Sequence, residues 1–287
     1  MSPNLQTNAD DPWTCPSCGR LNATPYCPSC GERPRSPRDL TLRGLIDQLF
    51  EAFTNIDGRL LRTFRCLVTR PGALTAAFIE GRRKPYLGPV ALFLVANAIF
   101  FAVESLTAGL VFTTPLQSHL QTQPWSGYAQ SIVASHLAAR HTTVEAYAPQ
   151  FDGAIALHAR SLILLMALAF TPLPVLVFRR RGRPIAAHIV FSLHLYAFML
   201  LLFSVATAIP AAGVPFGAGR SGSGLLDGVL SIGLLIACAG YLYVAIAAAY
   251  GGARPSRFLS AAVLTIGVAA IVLGYRFALL LLTLYTT

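Results

Sequence analysis

Five apolar runs, each long enough to cross a bilayer, fill most of the chain beyond residue 88. A crossing takes roughly 20 apolar residues. The runs cover about 88–112, 157–178, 185–209, 226–250 and 259–284. In lipid each backbone N–H and C=O must be bonded within its own segment, so such runs become helices. Residues 88–287 carry only ten Lys or Arg and four Asp or Glu. For the whole chain the charged share is 12%, against about 25% in a soluble domain. A soluble enzyme of this length has no means of covering its surface with so little charge. The predicted fold class is an all-α polytopic membrane protein. About five transmembrane helices follow interfacial helices and a small N-terminal zinc ribbon. Thr171-Pro172-Leu173-Pro174 predicts a kink in the second span.

Cations set the orientation. Segment 33–87 has eleven Lys or Arg, loop 113–156 has one, loop 179–184 four, loop 210–225 one, loop 251–258 two, and the tail 285–287 none. Rich and poor loops alternate across all five spans. The positive-inside rule then predicts a multi-pass protein with a cytoplasmic N-terminus and an external C-terminus.

Before the spans, a flexible stretch over 1–14 precedes two copies of one motif, Cys15-Pro16-Ser17-Cys18-Gly19 and Cys27-Pro28-Ser29-Cys30-Gly31. Two cysteines with two residues between them can share a metal, and two such pairs complete a tetrahedral site. Thiols stay reduced on the cytoplasmic side, which disfavours disulfides. Cys15, Cys18, Cys27 and Cys30 are therefore predicted to bind one structural Zn²⁺ in a ribbon spanning 15–31. Four protein ligands leave no open coordination position, so the metal supplies folding energy and not chemistry. Trp13, Leu21 and Tyr26 are the large side chains that such a ribbon can present to a partner.

Residues 39–84 read as cytoplasmic or interfacial amphipathic helices. Leu42, Leu45, Ile46, Leu49, Phe50 and Phe53 recur at helical spacing behind Asp39. Leu60, Leu61, Phe64, Leu67 and Val68 do so again among Arg59, Arg62, Arg65 and Arg70. Helices of this kind lie on anionic lipid or pack on the inner ends of the spans. At the entry to the first span, Arg82, Arg83, Lys84 and Tyr86 are predicted to meet lipid headgroups. Nucleic acid ranks last as a partner, because Asp47, Glu51 and Asp57 interrupt the basic run.

Several of these residues carry a resemblance. After the double ribbon come Asn55-Ile56-Asp57-Gly58-Arg59, Arg62-Thr63, Thr69-Arg70-Pro71-Gly72, and Ile79-Glu80-Gly81-Arg82-Arg83-Lys84-Pro85-Tyr86 with Pro89. This pattern resembles domain-of-unknown-function family 3667, a set of bacterial membrane proteins. The resemblance implies a short zinc ribbon, this junction and several spans. It brings no catalytic residues.

Polar groups inside spans are costly and are candidates for function. Asn97 and His194 fall about 14 Å from the inner boundary at 1.5 Å per residue, with Thr171 and Cys238 near that level. Glu104, Arg160, Asp227 and Arg276 form a second group near the outer boundary, where two acids and two arginines can neutralise one another. No nucleophile elbow, zincin motif, Walker A loop or dinucleotide fingerprint occurs. The chain is read as a non-enzymatic, membrane-anchored adaptor or scaffold. Its partners would be membrane lipids and a cytoplasmic protein docked by the ribbon, with no small-molecule substrate identified. The competing reading is a transporter of a small solute or lipid that uses the polar groups within the bundle.

Overall fold

The computed structural model describes residues 12–34, 58–107, 114–211 and 224–287, without the side chains of 161, 209–211 and 224–230. The helix expected from Asp39 to Phe53 lies outside the described residues, as does the end of the first span beyond 107. Two short strands, β1 (Trp13–Thr14) and β2 (Leu21–Asn22), pair antiparallel. The helices are α1 (Arg59–Thr69), α2 (Ala73–Ile79), α3 (Pro89–Thr107), α4 (Leu116–Gln121), α5 (Ser126–Ala139), α6 (Val144–Leu162), α7 (Leu164–Phe170), α8 (Pro172–Val177), α9 (Ile185–Ala211), α10 (Gly224–Ala249) and α11 (Arg254–Thr286).

Four helices, α3, α9, α10 and α11, are long and apolar enough to cross a membrane, and a fifth crossing results if α6–α8 is one broken span. The chain is thus an all-α polytopic protein. In α9, 72% of the apolar window is buried, against 28% in α11; α9 is therefore an interior helix and α11 a peripheral one. Ile236, Phe258, Leu259 and Ile266 remain exposed on α10 and α11, as side chains facing lipid do. The run α6–α8, expected as the second span, bends by 57° between Val144–Arg160 and Leu164–Val177, ahead of the proline pair expected to kink it. Pro172 instead starts α8, a position where its missing N–H costs nothing.

The described residues cluster into two compact units. The first takes in the described residues among 1–95, 174–198 and 240–261. Its core holds Leu67, Leu74, Phe78, Leu92, Phe93, Val190, Phe191, Leu195, Leu242 and Ile246. Tyr250 stacks on Phe178 at 4.1 Å and donates to or accepts from His188 Nδ1 at 2.8 Å. The second takes in 96–173, 199–239 and 262–287. Its core includes Phe100, Leu116, Phe151, Ile155, Met166, Phe170, Leu264 and Leu280.

Three local results depart from the expected layout. The ribbon begins before Cys15, because Trp13–Thr14 pair with β2 and the Trp13 indole donates to the Thr24 carbonyl at 2.8 Å. The stretch 114–156, expected as a loop, folds into α4, α5 and most of α6. Helix α2 has no polar face: Leu74, Thr75, Ala77, Phe78 and Ile79 are all buried. It packs within the first unit and does not lie on a surface.

Candidate metal centre and membrane junction

Each CPSCG repeat folds into the same tight loop. Gly19 N donates to the Cys15 carbonyl at 2.9 Å, and Gly31 N to the Cys27 carbonyl at 2.8 Å. The two glycines adopt φ of +74° and +70°, a region that costs a side-chain-bearing residue strain. Each loop closes at its base, with Cys15 N donating to Arg20 O at 2.8 Å and Cys27 N to Glu32 O at 2.7 Å. The loops thereby face their sulfurs inward. The Sγ atoms of Cys15 and Cys30 lie 3.5 Å apart, those of Cys18 and Cys27 3.4 Å apart, and all four lie within 4.8 Å of one another. A tetrahedron with metal–sulfur bonds of 2.3 Å has edges of about 3.8 Å, so the four sulfurs fit one metal ion. None of the four is in a disulfide.

The loops also prepare the sulfurs for binding. Burial pushes the Cys27 thiol up, but the amides of Ser29 and Cys30 together with the Cys18 and Cys30 thiols bring the value down to about 6. Burial pushes Cys30 up to about 12, against the pull of the Glu32 amide. A metal bound by the four sulfurs would take them as thiolates.

The ribbon continues into the membrane junction through Glu32. Its carboxylate, 2% exposed, accepts from Ser17 Oγ at 2.7 Å and from the amides of Arg83 and Lys84 at 3.0 and 3.1 Å. These donors occupy the backbone of the junction expected to meet headgroups. Of its four residues, Lys84 is exposed, while Arg82, Arg83 and Tyr86 are half-buried. Arg82 pairs with Glu80, and the Arg83 guanidinium lies 5.2 Å from the Phe78 ring centroid. Tyr86 is half-buried, and burial together with the Cys66 thiol pushes its phenol up. Leu87 N donates to Thr63 Oγ1 at 2.9 Å. The buried face of α1 therefore runs through Thr63, Cys66 and Leu67, leaving Leu61 and Val68 exposed beside Arg62 and Arg65.

The expected intramembrane residues separate by environment. His194 is buried, and its Nδ1 lies 2.8 Å from Thr75 Oγ1 on α2. It also borders a crevice of about 20 Å³ shared with Arg82, Arg83 and Tyr86, room for a single water. Asn97 is half-buried, with Nδ2 enclosed and without a hydrogen-bond partner among the described residues. In the second unit, Glu104 is buried. Arg160 is exposed, donates to Ser105 Oγ at 3.1 Å and lies 5.8 Å from the Phe101 ring centroid. Arg276 is half-buried and its charge acts on His119. The side chain of Asp227 lies outside the described set.

Sequence reasoning missed both Glu32 and His119. Glu32 follows CPSCG as an ordinary loop residue, and its partners are 51 and 52 residues away. His119 is fully buried in α4 and accepts from Trp125 Nε1 at 3.3 Å. A Trp six residues after a His in a polar stretch gives no recognisable spacing.

These features define a class: a polytopic helical membrane protein with an N-terminal four-cysteine candidate metal site latched to the entry of its first candidate span. Over residues 57–101 the chain is similar to the family described as "Protein of unknown function (DUF3667)". That match takes in α1, α2, the junction and the first part of α3, and does not reach the four cysteines. No curated protein and no solved structure matches the chain.

Proposed function

We propose that this is a non-enzymatic scaffold of the bacterial inner membrane, with its N-terminus in the cytoplasm, whose zinc ribbon docks a cytoplasmic protein. Four thiolates in a tetrahedron suit zinc among the common cellular metals. The observation that carries the reading is the pair Leu21 and Tyr26, 72% and 61% exposed on a ribbon that Glu32 bonds to the junction and that a bound metal would fix. Aliphatic and aromatic side chains held rigidly at a surface are what protein interfaces bury at their centres. The described ribbon carries two cations, Arg20 and Arg33, and Arg20 is engaged with Ser29 Oγ at 2.6 Å. This is a poor footprint for nucleic acid. The exposed Leu61 and Val68 beside Arg62 and Arg65 suit contact with anionic lipid.

Metal analysis of the purified full chain should give one zinc per chain, lost in Cys18→Ser. Site-specific photocrosslinking from position 24, between Leu21 and Tyr26, should capture a discrete partner. The double variant Leu21→Ser/Tyr26→Ser should lose that partner while keeping its zinc. If the double variant captures the same protein as wild type, the docking role fails.

A lipid transporter is the second reading, favoured by an apolar groove of about 530 Å³ in the second unit. Leu162, Met166, Ala270, Gly274, Ala278 and Leu282 are among its lining residues. The two readings separate on removal of residues before 33: lipid transport survives that truncation and partner docking does not.

A further inference from the structure

Glu32 is held from both knuckles of the ribbon. Its carbonyl accepts from Cys27 N at 2.7 Å, and its carboxylate accepts from Ser17, which lies between Cys15 and Cys18. The same oxygen, Oε2, also takes the Arg83 and Lys84 amides at 3.0 and 3.1 Å. A ribbon with two strands of two residues each buries too little to keep its shape without a metal, so the direction in which Glu32 points depends on the metal. A buried carboxylate taken from three donors to none is strongly disfavoured, and the contact is either made in full or lost.

We propose that Glu32 makes the ribbon a metal-dependent clamp on the Arg82–Tyr86 junction. With a thiophilic divalent cation on the four cysteines, the two amides are held and the junction is fixed against α1 and α2. Without it, the knuckles lose their shape, Glu32 leaves Arg83 and Lys84, and the junction is released. Arg82, Arg83 and Tyr86 also line the crevice that His194 borders. Metal supply on the ribbon's side of the membrane is thereby read as the state of the entry to the first span. This goes beyond the docking role, since it requires no partner.

Hydrogen exchange on the full chain in lipid nanodiscs tests it, with fragmentation that resolves single amides. Stripping the metal with a chelator should speed exchange at Arg83 and Lys84 by about tenfold or more, the loss expected for a charge-assisted bond. The Leu87 amide is the internal control, because it donates to Thr63 and not to the ribbon. Glu32→Ala that retains its metal should show the same acceleration with metal bound, and chelation should then add nothing. Ser17→Ala, which cuts only one ribbon-side bond, should fall between. Unchanged exchange at 83 and 84 after complete metal loss would overturn the clamp. So would a metal-loaded Glu32→Ala protein whose two amides exchange as in wild type, or an equal acceleration at Leu87.

Discussion

Gly72 shows how one missing side chain sets a contact. A Cβ built there would lie 2.5 Å from the Ala245 carbonyl oxygen and 2.7 Å from its Cα, and the residue adopts φ of +81°. Neither the α10 backbone nor that torsion can yield cheaply. Gly72→Ala is expected to lower stability by at least about 2 kcal/mol, read as the thermal midpoint in detergent. At Gly267 the obstacle is the Cδ1 end of the Leu173 side chain, which can rotate away. Gly267→Ala is expected to cost less than about 1 kcal/mol, and equal losses at the two sites would contradict this account. His119 carries a pH dependence. Burial first, and the nearby Arg276 cation second, lower its pKa to about 4. The unfolded chain, with a pKa near 6.5, then binds the extra proton first as pH falls. The contribution of a neutral His119 is complete above about pH 6.5 and is lost progressively toward pH 4. Between those values stability should drop by up to about 1.4 kcal/mol per pH unit. His119→Gln should flatten that part of the curve, and parallel curves for the two proteins would place the effect elsewhere.

At the scale of elements, α2 is the piece whose role was hidden. Seven residues are too few to show a period, and ALTAAFI reads as a fragment of amphipathic surface until its seat is seen. That seat comes from residues far along the chain, His194 on α9 and Ala245 on α10. Thr75→Val removes the bond to His194 while keeping the shape of the side chain. It should cost about 1–3 kcal/mol for leaving a buried imidazole unsatisfied, measured as loss of thermal midpoint in detergent. Thr75→Ser should recover most of it. The four cysteines, by contrast, were legible, because they lie within 16 residues and their spacing itself brings the sulfurs together; Trp13 and Glu32, which close the ribbon, were not. Helices α4 and α5 were not legible, since their mixed composition follows neither a membrane run nor a clear amphipathic stripe. Periodicity grouped Leu61 and Val68 with Leu67 on α1, but it does not register that Thr63 turns inward to the Leu87 amide and leaves those two exposed.

For the molecule as a whole, the apolar runs that become the four or five candidate crossings were visible in hydropathy, and the proposed orientation rests on the alternation of arginines. That orientation predicts that a cysteine placed at exposed Ser135 reacts with an impermeant reagent applied to intact cells. One placed at exposed Gly182 should react only after lysis, with both sites read by peptide mass. The reverse pattern would invert the assignment. The Thr75–His194 contact has a further consequence, for synthesis. Its partners are 119 residues apart, so at 5–20 residues per second α2 waits roughly 6–24 s on the ribosome before His194 has been made. Through that interval Leu74, Phe78 and Ile79 have only α1 and the junction beside them, and lack the partners that α9 and α10 supply. A nascent chain stalled short of α9 therefore displays an apolar peptide that the finished protein conceals, and it is this transient display, more than any surface of the mature fold, that chaperones and quality-control proteases would meet.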